Sequence, residues 1–325
     1  MDEIGLTQLA EIVGGRLRGA DGAHGLVGHV SVHSDAVREG SAFFALRGAH
    51  TDGHRFVARA IADGARVAVV ASHAVDTLPA QVGPLIVVDN PLTALRTLAV
   101  WWRARLRATF VAIAGDGGES LTKDALLHFL GSRFAAYGSP DGYDSGIGVS
   151  LSILGCPLEA GLAVIEAAAA EPGDMLHHIS LIRPDHLILT NVGVRRPASF
   201  ERAVEQGREL VKIADEVSPS GWLLTGNVDP MLERVTESLQ SRRYSLGKTR
   251  ALPVFSAADG DADMITKQVV FPDGEEGRLR VRASMAHLVG DVEVALVGAW
   301  LLGVPSAALV DALGEYSPSD MACHQ

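Results

Sequence analysis

Short runs of consecutive apolar residues recur along this chain and alternate with segments that have helical spacing. The runs at residues 65–70, 85–88, 110–114 and 162–167 are rich in β-branched side chains, which is typical of strands buried on both faces of a parallel sheet. Residues 91–107 have the spacing of an amphipathic helix, with proline at its first turn. Strands alternating with helices predict an α/β fold with a doubly wound, mostly parallel sheet.

The chain length predicts two domains, because 325 residues are more than one hydrophobic core usually organises. We assign residues 1–107 to a small N-terminal α/β domain. Residues 108–325 form a central domain of the P-loop type, built on the doubly wound sheet. Within it, helices are predicted at residues 292–302 and 306–313.

Composition narrows the class of protein. The net charge of -11, with no run of arginine or lysine, argues against a general nucleic-acid surface. Two cysteines, Cys156 and Cys323, are too few for a disulfide framework, so we expect a reducing, cytoplasmic environment. The N-terminus has no signal-peptide pattern, and no apolar run reaches the ~20 residues of a membrane span. We therefore expect neither nucleic acid nor membrane as a partner.

One stretch combines an apolar run, a glycine-rich turn with Gly115 and Gly118, and a helix that begins at Glu119. This is the architecture of a phosphate-binding loop, which places lysine and then serine or threonine after its last glycine. Here Glu119 stands at the lysine position, followed by Ser120. Two like charges about 4 Å apart repel by about 1 kcal/mol in water and more in a partly buried site. The sequence predicts a loop that keeps its shape without its nucleotide, and a Lys123 that faces solvent.

Taken together, these segments resemble the Mur ligase family, and within it the ligases that add D-alanyl-D-alanine to UDP-N-acetylmuramoyl-tripeptide. Residues 39–48 and the following Asp52-Gly53-His54 turn match that family's UDP-binding signature. The resemblance implies a nucleotide-sugar or peptide-like ligand, with a binding set of Ser34, Phe44, Ala45, Asp52, Gly53 and His54. From the residues alone a bland alternative stays open, in which the glycine permits the turn and the histidine caps a helix.

In the central domain the resemblance implies a vestigial nucleotide and metal site. Its members are Gly115, Gly118, Glu119, Ser120, Lys123, Asn227 and His287 for the nucleotide loop and its surroundings, and Glu166 for the family's magnesium carboxylate. Arg196 falls where the family has a metal-binding histidine, and an arginine cannot ligate a metal.

The changed positions all serve one reaction, which is acyl-phosphate formation from a carboxylate and ATP followed by attack of an amine. The resemblance also ends at residue 325, where the family's third domain would begin. We therefore expect a ligand- or partner-binding pseudoenzyme without cofactors, with a second copy or a partner protein on the face that this domain would cover. Two alternatives stay open: a divergent ligase of cell-wall or natural-product biosynthesis that uses ATP and magnesium, and an ATP-independent enzyme in the same cleft. No catalytic residue can be assigned from spacing.

Overall fold

The chain folds into two compact units, one of residues 1–107 with 150–159 and one of residues 108–149 with 160–325. The computed structural model describes residues 1–19, 25–48, 50–115, 117–169, 173–190, 209, 212–226, 242–247, 249, 251–260 and 263–316. The predictions made for Arg196 and Asn227 lie outside these residues. The mixed α/β fold with a parallel sheet, expected from the sequence, is confirmed.

The first unit is a small sheet flanked by helices. Its elements, numbered along the chain, are β1 (Ile4–Gly5), α1 (Leu6–Ile12), β2 (Arg16–Arg18), β3 (Leu26–Val27), β4 (His29–Ser31), β5 (Ser41–Phe44), α2 (Val57–Ala62), β6 (Val67–Ala71), β7 (Leu85–Val88) and α3 (Pro91–Arg103). Strands β4, β5, β6 and β7 are parallel neighbours in that order, and β2 lies antiparallel beside β7. Every residue of β5 and β6 is buried, as expected for strands covered on both faces.

Helix α3 begins where the sequence predicts and ends earlier. The Asn90 side chain caps it by accepting from the backbone N–H groups of Leu92 and Thr93, at 2.9 and 3.2 Å. The helix ends at Arg103 rather than at residue 107. Near its end Trp102 is buried, and its indole Nε1 donates to the backbone oxygen of Cys156 at 3.0 Å. This bond ties α3 to the 150–159 segment of the same unit.

The second unit is built on a larger sheet whose six strands are all parallel. Its elements are β8 (Thr109–Ala114), α4 (Glu119–Leu130), β9 (Ala136–Gly138), α5 (Gly146–Gly155, whose last residues belong to the first unit), β10 (Leu162–Ala167), α6 (Asp174–Ile182), β11 (His186–Leu189), β12 (Trp222–Thr225), β13 (Arg242–Ser245), β14 (Val254–Phe255), β15 (Asp259–Gly260), β16 (Met264–Val270), β17 (Glu276–Arg282), α7 (Val289–Leu301) and α8 (Ser306–Glu315).

The parallel sheet has the order β13-β12-β11-β8-β10-β9, so β8 lies between β10 and β11. The strand order reverses at β8, and in doubly wound sheets ligands bind at the carboxyl ends of the strands next to such a switch point. The segment that follows β8 is the glycine-rich loop. Strands β14 to β17 form a separate antiparallel sheet, with β17 paired along the whole of β16.

Helix α7 packs closely on the parallel sheet. A side chain at Gly298 would place its Cβ 3.1 Å from Cδ1 of Ile188 on β11, so a glycine permits this approach. Within the described residues, the stretch Ala283–Leu301 passes a length-and-apolarity test for a membrane span, yet half of its most apolar window is buried in the protein. Met285 breaks the helical backbone, which leaves the 13 residues of α7. They span about 20 Å, short of the ~30 Å hydrocarbon core, so α7 is a core helix.

Candidate functional site

The glycine-rich loop joins β8 to α4, which begins at Glu119 as the sequence predicts, and neighbouring residues hold the loop. Gly118 has φ +89°, a left-handed conformation that favours glycine, and an added Cβ would lie 2.5 Å from the Asp291 carboxylate of α7. At the end of β11, the hydroxyl of Thr190 donates to the backbone oxygen of Gly117 at 3.0 Å. Gly115 is buried directly after β8. The loop therefore lies against a carboxylate on one side and β11 on the other.

Lys123 does not face solvent, and that prediction is wrong. It is 2% exposed, because α4 packs this face against β9 and β10. Its ammonium nitrogen Nζ lies 2.7 Å from Oε1 of Glu166 and 2.7 Å from Oδ1 of Asp141. It also donates to the backbone oxygen of Ser139 at 3.0 Å. Asp124 lies farther away, with its Oδ1 at 3.4 Å.

The Glu166 carboxylate is held from both sides. It lies on β10, where every residue is buried, and is itself 2% exposed. While Oε1 faces the Lys123 ammonium, Oε2 accepts from the Ser120 hydroxyl at 2.8 Å. The backbone N–H of Glu166 donates to the Ser139 hydroxyl at 3.2 Å. The structure thus brings together three predicted site residues, Ser120, Lys123 and Glu166, at the end of β10.

The Lys123 ammonium stays charged in this environment. Burial alone would lower the pKa of Lys123, since it disfavours the charged form. Hydrogen bonds to Asp141 and Glu166, together with the charges of Glu166 and Asp124, outweigh burial and raise the pKa of Lys123 above its ordinary value. The site therefore carries a permanent internal cation.

The residues at this site do not fit the magnesium ion that the family resemblance implies. Magnesium needs oxygen ligands at about 2.0–2.1 Å in octahedral geometry. Both oxygens of Glu166 already have partners, and the Lys123 ammonium takes the space and supplies a positive charge. In the described part of the chain, no group of three or more histidine, cysteine, aspartate or glutamate residues is arranged to hold a metal ion.

The Asp52-Gly53-His54 turn in the first unit is a closed hydrogen-bond network. Oδ1 of Asp52 accepts from the backbone N–H of His54 at 3.0 Å and lies 2.6 Å from its ring nitrogen Nδ1. The other ring nitrogen, Nε2, accepts from the backbone N–H of Ala71 at 2.9 Å. Nε2 therefore carries no proton, and Nδ1–H donates to Asp52. The backbone and side-chain hydrogen bonds from His54 lower the pKa of Asp52 below its ordinary value.

Burial divides the six residues predicted to bind substrate in this unit. Phe44 and Ala45 are fully buried, and Gly53 lies so close to Leu46 that an added Cβ would be 2.6 Å from the Leu46 oxygen. His54 is 7% exposed, and its ring nitrogens are both engaged by the protein. The two with exposed side-chain surface are Ser34, after β4, and Asp52. Side-chain contact with a ligand is thus open to Ser34 and Asp52.

His287 and Asp35 are both exposed. His287 is exposed on the 3₁₀ turn before α7, whose Asp291 abuts Gly118. Asp35, next to Ser34, forms an exposed ion pair with Arg59 at 2.8 Å. Sequence reasoning missed Asp141 as a partner of the site, because it lies in a glycine-rich loop with no pattern of its own.

Comparison with known proteins agrees with the fold and the motifs. The profile described as "Mur ligase family, catalytic domain" matches residues 27–101. The chain carries a Mur ligase family domain. Curated relatives of this chain are UDP-N-acetylmuramoyl-tripeptide–D-alanyl-D-alanine ligases. That of Bacillus subtilis (strain 168) is 26% identical over 239 residues, covering 74% of this chain and 52% of the relative. That of Escherichia coli (strain K12) is 31% identical over 203 residues, covering 62% and 42%.

Solved structures show the same fold at low sequence identity. MurF from Acinetobacter baumannii superposes with a TM-score of 0.85 at 22% identity, covering 96% of this chain and 68% of that one. MurF from Thermotoga maritima, solved in complex with ADP, gives a TM-score of 0.73 at 22% identity, covering 87% and 65%. The chain is therefore similar to MurF by sequence and by fold. It spans about half the length of the curated relatives it matches.

Proposed function

We propose that this MurF-like chain binds a ligand or a partner without turning over ATP. The observation that supports this most directly is the buried ion pair between Lys123 and Glu166. In this pair the ammonium of Lys123, on the helix that follows the glycine-rich loop, is bound by a carboxylate of the protein itself. Phosphoryl transfer depends on positive groups that neutralise charge on the transferred phosphate. An ammonium committed to Glu166, Asp141 and Ser139 is not available for that task.

The negative charges around the loop support the same proposal. Glu119 occupies the first turn of α4, where the helix dipole stabilises a carboxylate. Asp291 lies against Gly118 from the other side. A phosphate placed about 4 Å from either carboxylate would be repelled by about 4 kcal/mol per charge pair near a protein surface. The loop thus contains its own anion at the helix N-terminus, which is the place a phosphate takes in a working loop.

For the ligand we propose a nucleotide-sugar of the UDP-N-acetylmuramoyl-peptide class, bound by the first unit in the cytoplasm. The family profile covers residues 27–101 of that unit, and the curated relatives are named for such a substrate. The ligand would lie at the carboxyl edge of the sheet, with Ser34 and Asp52 offering polar side chains. Neither ATP nor magnesium is needed for this role.

Calorimetric titration of ATP with magnesium into three variants tests the proposal. We expect no binding heat from the natural chain and binding by Glu119→Lys, which restores a cation to the loop. Glu119→Gln is the matched control, because it removes the repulsion without adding a positive charge, and we expect it to bind weakly or not at all. Micromolar binding by the natural chain would instead support the divergent ATP-dependent ligase.

Calorimetric titration also tests the proposed class of ligand. We expect UDP-N-acetylmuramoyl-tripeptide to give binding heat with the natural chain, and Asp52→Asn with Ser34→Ala to weaken it. Absence of heat with the natural chain, while its fold is intact by circular dichroism, would contradict this ligand class.

A further inference from the structure

We propose that the Lys123 side chain is the resident cation of the Glu166 carboxylate, replacing a divalent metal, so that the loop and β10 are ordered without one. The inference rests on the proposed function, which it deepens by stating how the family's metal position is filled. It concerns divalent cations alone, with no nucleotide, so that it and the proposed function can fail separately.

The Lys123 ammonium is surrounded by oxygen atoms. An ammonium has three N–H donors. Three oxygen atoms lie within 3.0 Å of Nζ, and they belong to Glu166, Asp141 and Ser139. The fourth nearby oxygen, on Asp124 at 3.4 Å, adds attraction without a close contact. Nζ donates hydrogen bonds to Asp141 and Ser139, and its charge lies 2.7 Å from Oε1 of Glu166, so the ammonium occupies the position next to that oxygen.

The surroundings nonetheless keep the chemistry of a cation site. Carboxylate oxygens of Glu166, Asp141 and Asp124 and the backbone oxygen of Ser139 lie 2.7–3.4 Å from Nζ, and calcium and magnesium bind oxygens of these kinds. The Asp141 side chain is 61% exposed, so the point is reachable from solvent. Lys123 therefore places its ammonium where these oxygens converge, which is where a metal ion would have to lie to bind Glu166 Oε1.

Distances decide which ion would enter if the ammonium were removed. The closest oxygens lie 2.7–3.0 Å from the centre. Calcium binds oxygen at about 2.3–2.6 Å in flexible geometry, so shifts of a few tenths of an ångström would suffice. Magnesium requires about 2.0–2.1 Å and a near-ideal octahedron, which would need larger movements. A chain without the ammonium should thus prefer calcium to magnesium.

The experiment compares the natural chain with Lys123→Met and with the double variant Lys123→Met/Glu166→Gln, using thermal unfolding and calorimetric titration of calcium or magnesium chloride. We expect the natural chain to unfold at the same temperature in EDTA and in calcium. Lys123→Met should bind calcium at least about 100-fold more tightly than the natural chain, with Tm raised by about 5–10 °C at 100 times its Kd. The double variant should lose this response, and magnesium should give a smaller one.

Two results would overturn the inference. One is a folded Lys123→Met that does not respond to calcium. The other is a natural chain that binds a divalent cation in a way that Glu166→Gln abolishes. If Lys123→Met is unfolded in EDTA, recovery of its circular dichroism in calcium supports the inference. If it stays unfolded in both, titration of manganese into the natural chain, followed by electron paramagnetic resonance, decides: binding that depends on Glu166 refutes the inference, and no binding supports it.

Discussion

Replacement of His54 by alanine tests whether this histidine stabilises the fold or binds a ligand. In the structure the ring joins Asp52 to the backbone N–H of Ala71 at the end of β6. Removing the ring leaves that buried N–H without its acceptor, which costs about 1–3 kcal/mol. The lost packing of a ring that is 7% exposed adds to this, and we expect a total of about 3–4 kcal/mol.

Urea unfolding measures this loss, and hydrogen exchange of the β6 backbone locates it. Because the chain has two units, a single two-state fit is unsuitable. In His54→Ala the unfolding transition of the first unit should move to a lower urea concentration. We expect the Ala71 amide to lose protection in His54→Ala before the amides of the second unit do.

His73→Ala provides the matched control. His73 is exposed, and its ring centroid lies 6.0 Å from that of His54, so the same chemical change is made next to the same site. We expect its effect on the free energy of unfolding to stay within about 0.5 kcal/mol. A loss below about 1 kcal/mol in His54→Ala, with ligand binding abolished, would refute the structural explanation of this residue.

Further expectations concern the same turn and the second unit. Gly53→Ala should destabilise the first unit by more than about 2 kcal/mol. The added Cβ would meet backbone atoms of Leu46, which cannot move aside as a side chain could. A thermal melt close to that of the natural chain would contradict this expectation. His186 stacks on Trp222 with ring centroids 4.4 Å apart and accepts from its backbone N–H, and burial lowers the pKa of His186. The neutral ring is therefore favoured on folding, so its contribution is complete above the unfolded pKa near 6.5 and is lost as pH falls below it. His186→Phe should show a smaller loss of unfolding free energy between pH 7.5 and pH 5 than the natural chain, and equal losses in the two would exclude His186 as the titrating group.

Sequence patterns located the elements well where the local signal was strong. The bounds predicted for the strands at residues 85–88 and 162–167 are those of β7 and β10, because each is a buried, mostly apolar run that directly follows a proline or a glycine. The loop after β8 was found for a similar reason, since glycines at fixed spacing between a strand and a helix are a local feature. The end of α3 was missed because nothing in residues 104–107 forbids helix.

The partners of Lys123 could not be predicted in this way. A lysine on a helix is usually solvated, and only the packing of α4 on β9 and β10 turns this one toward Glu166. Asp141 reaches the same point from a loop whose path depends on the whole sheet. The charge reversal at Glu119 was visible in the sequence, whereas the internal cation that accompanies it required the tertiary structure.

The hydrogen bond from Trp102 to Cys156 has a consequence for how this protein can be divided. The first unit is not a continuous piece of chain, because residues 150–159 return to it after the second unit has begun. The backbone nitrogen of Met1 also donates to that returning segment, at the backbone oxygen of Leu154. No single cut of the polypeptide separates residues 1–107 and 150–159 from the second unit. The first unit can therefore be completed only after residues 150–159, which follow the start of the second unit, have been synthesised.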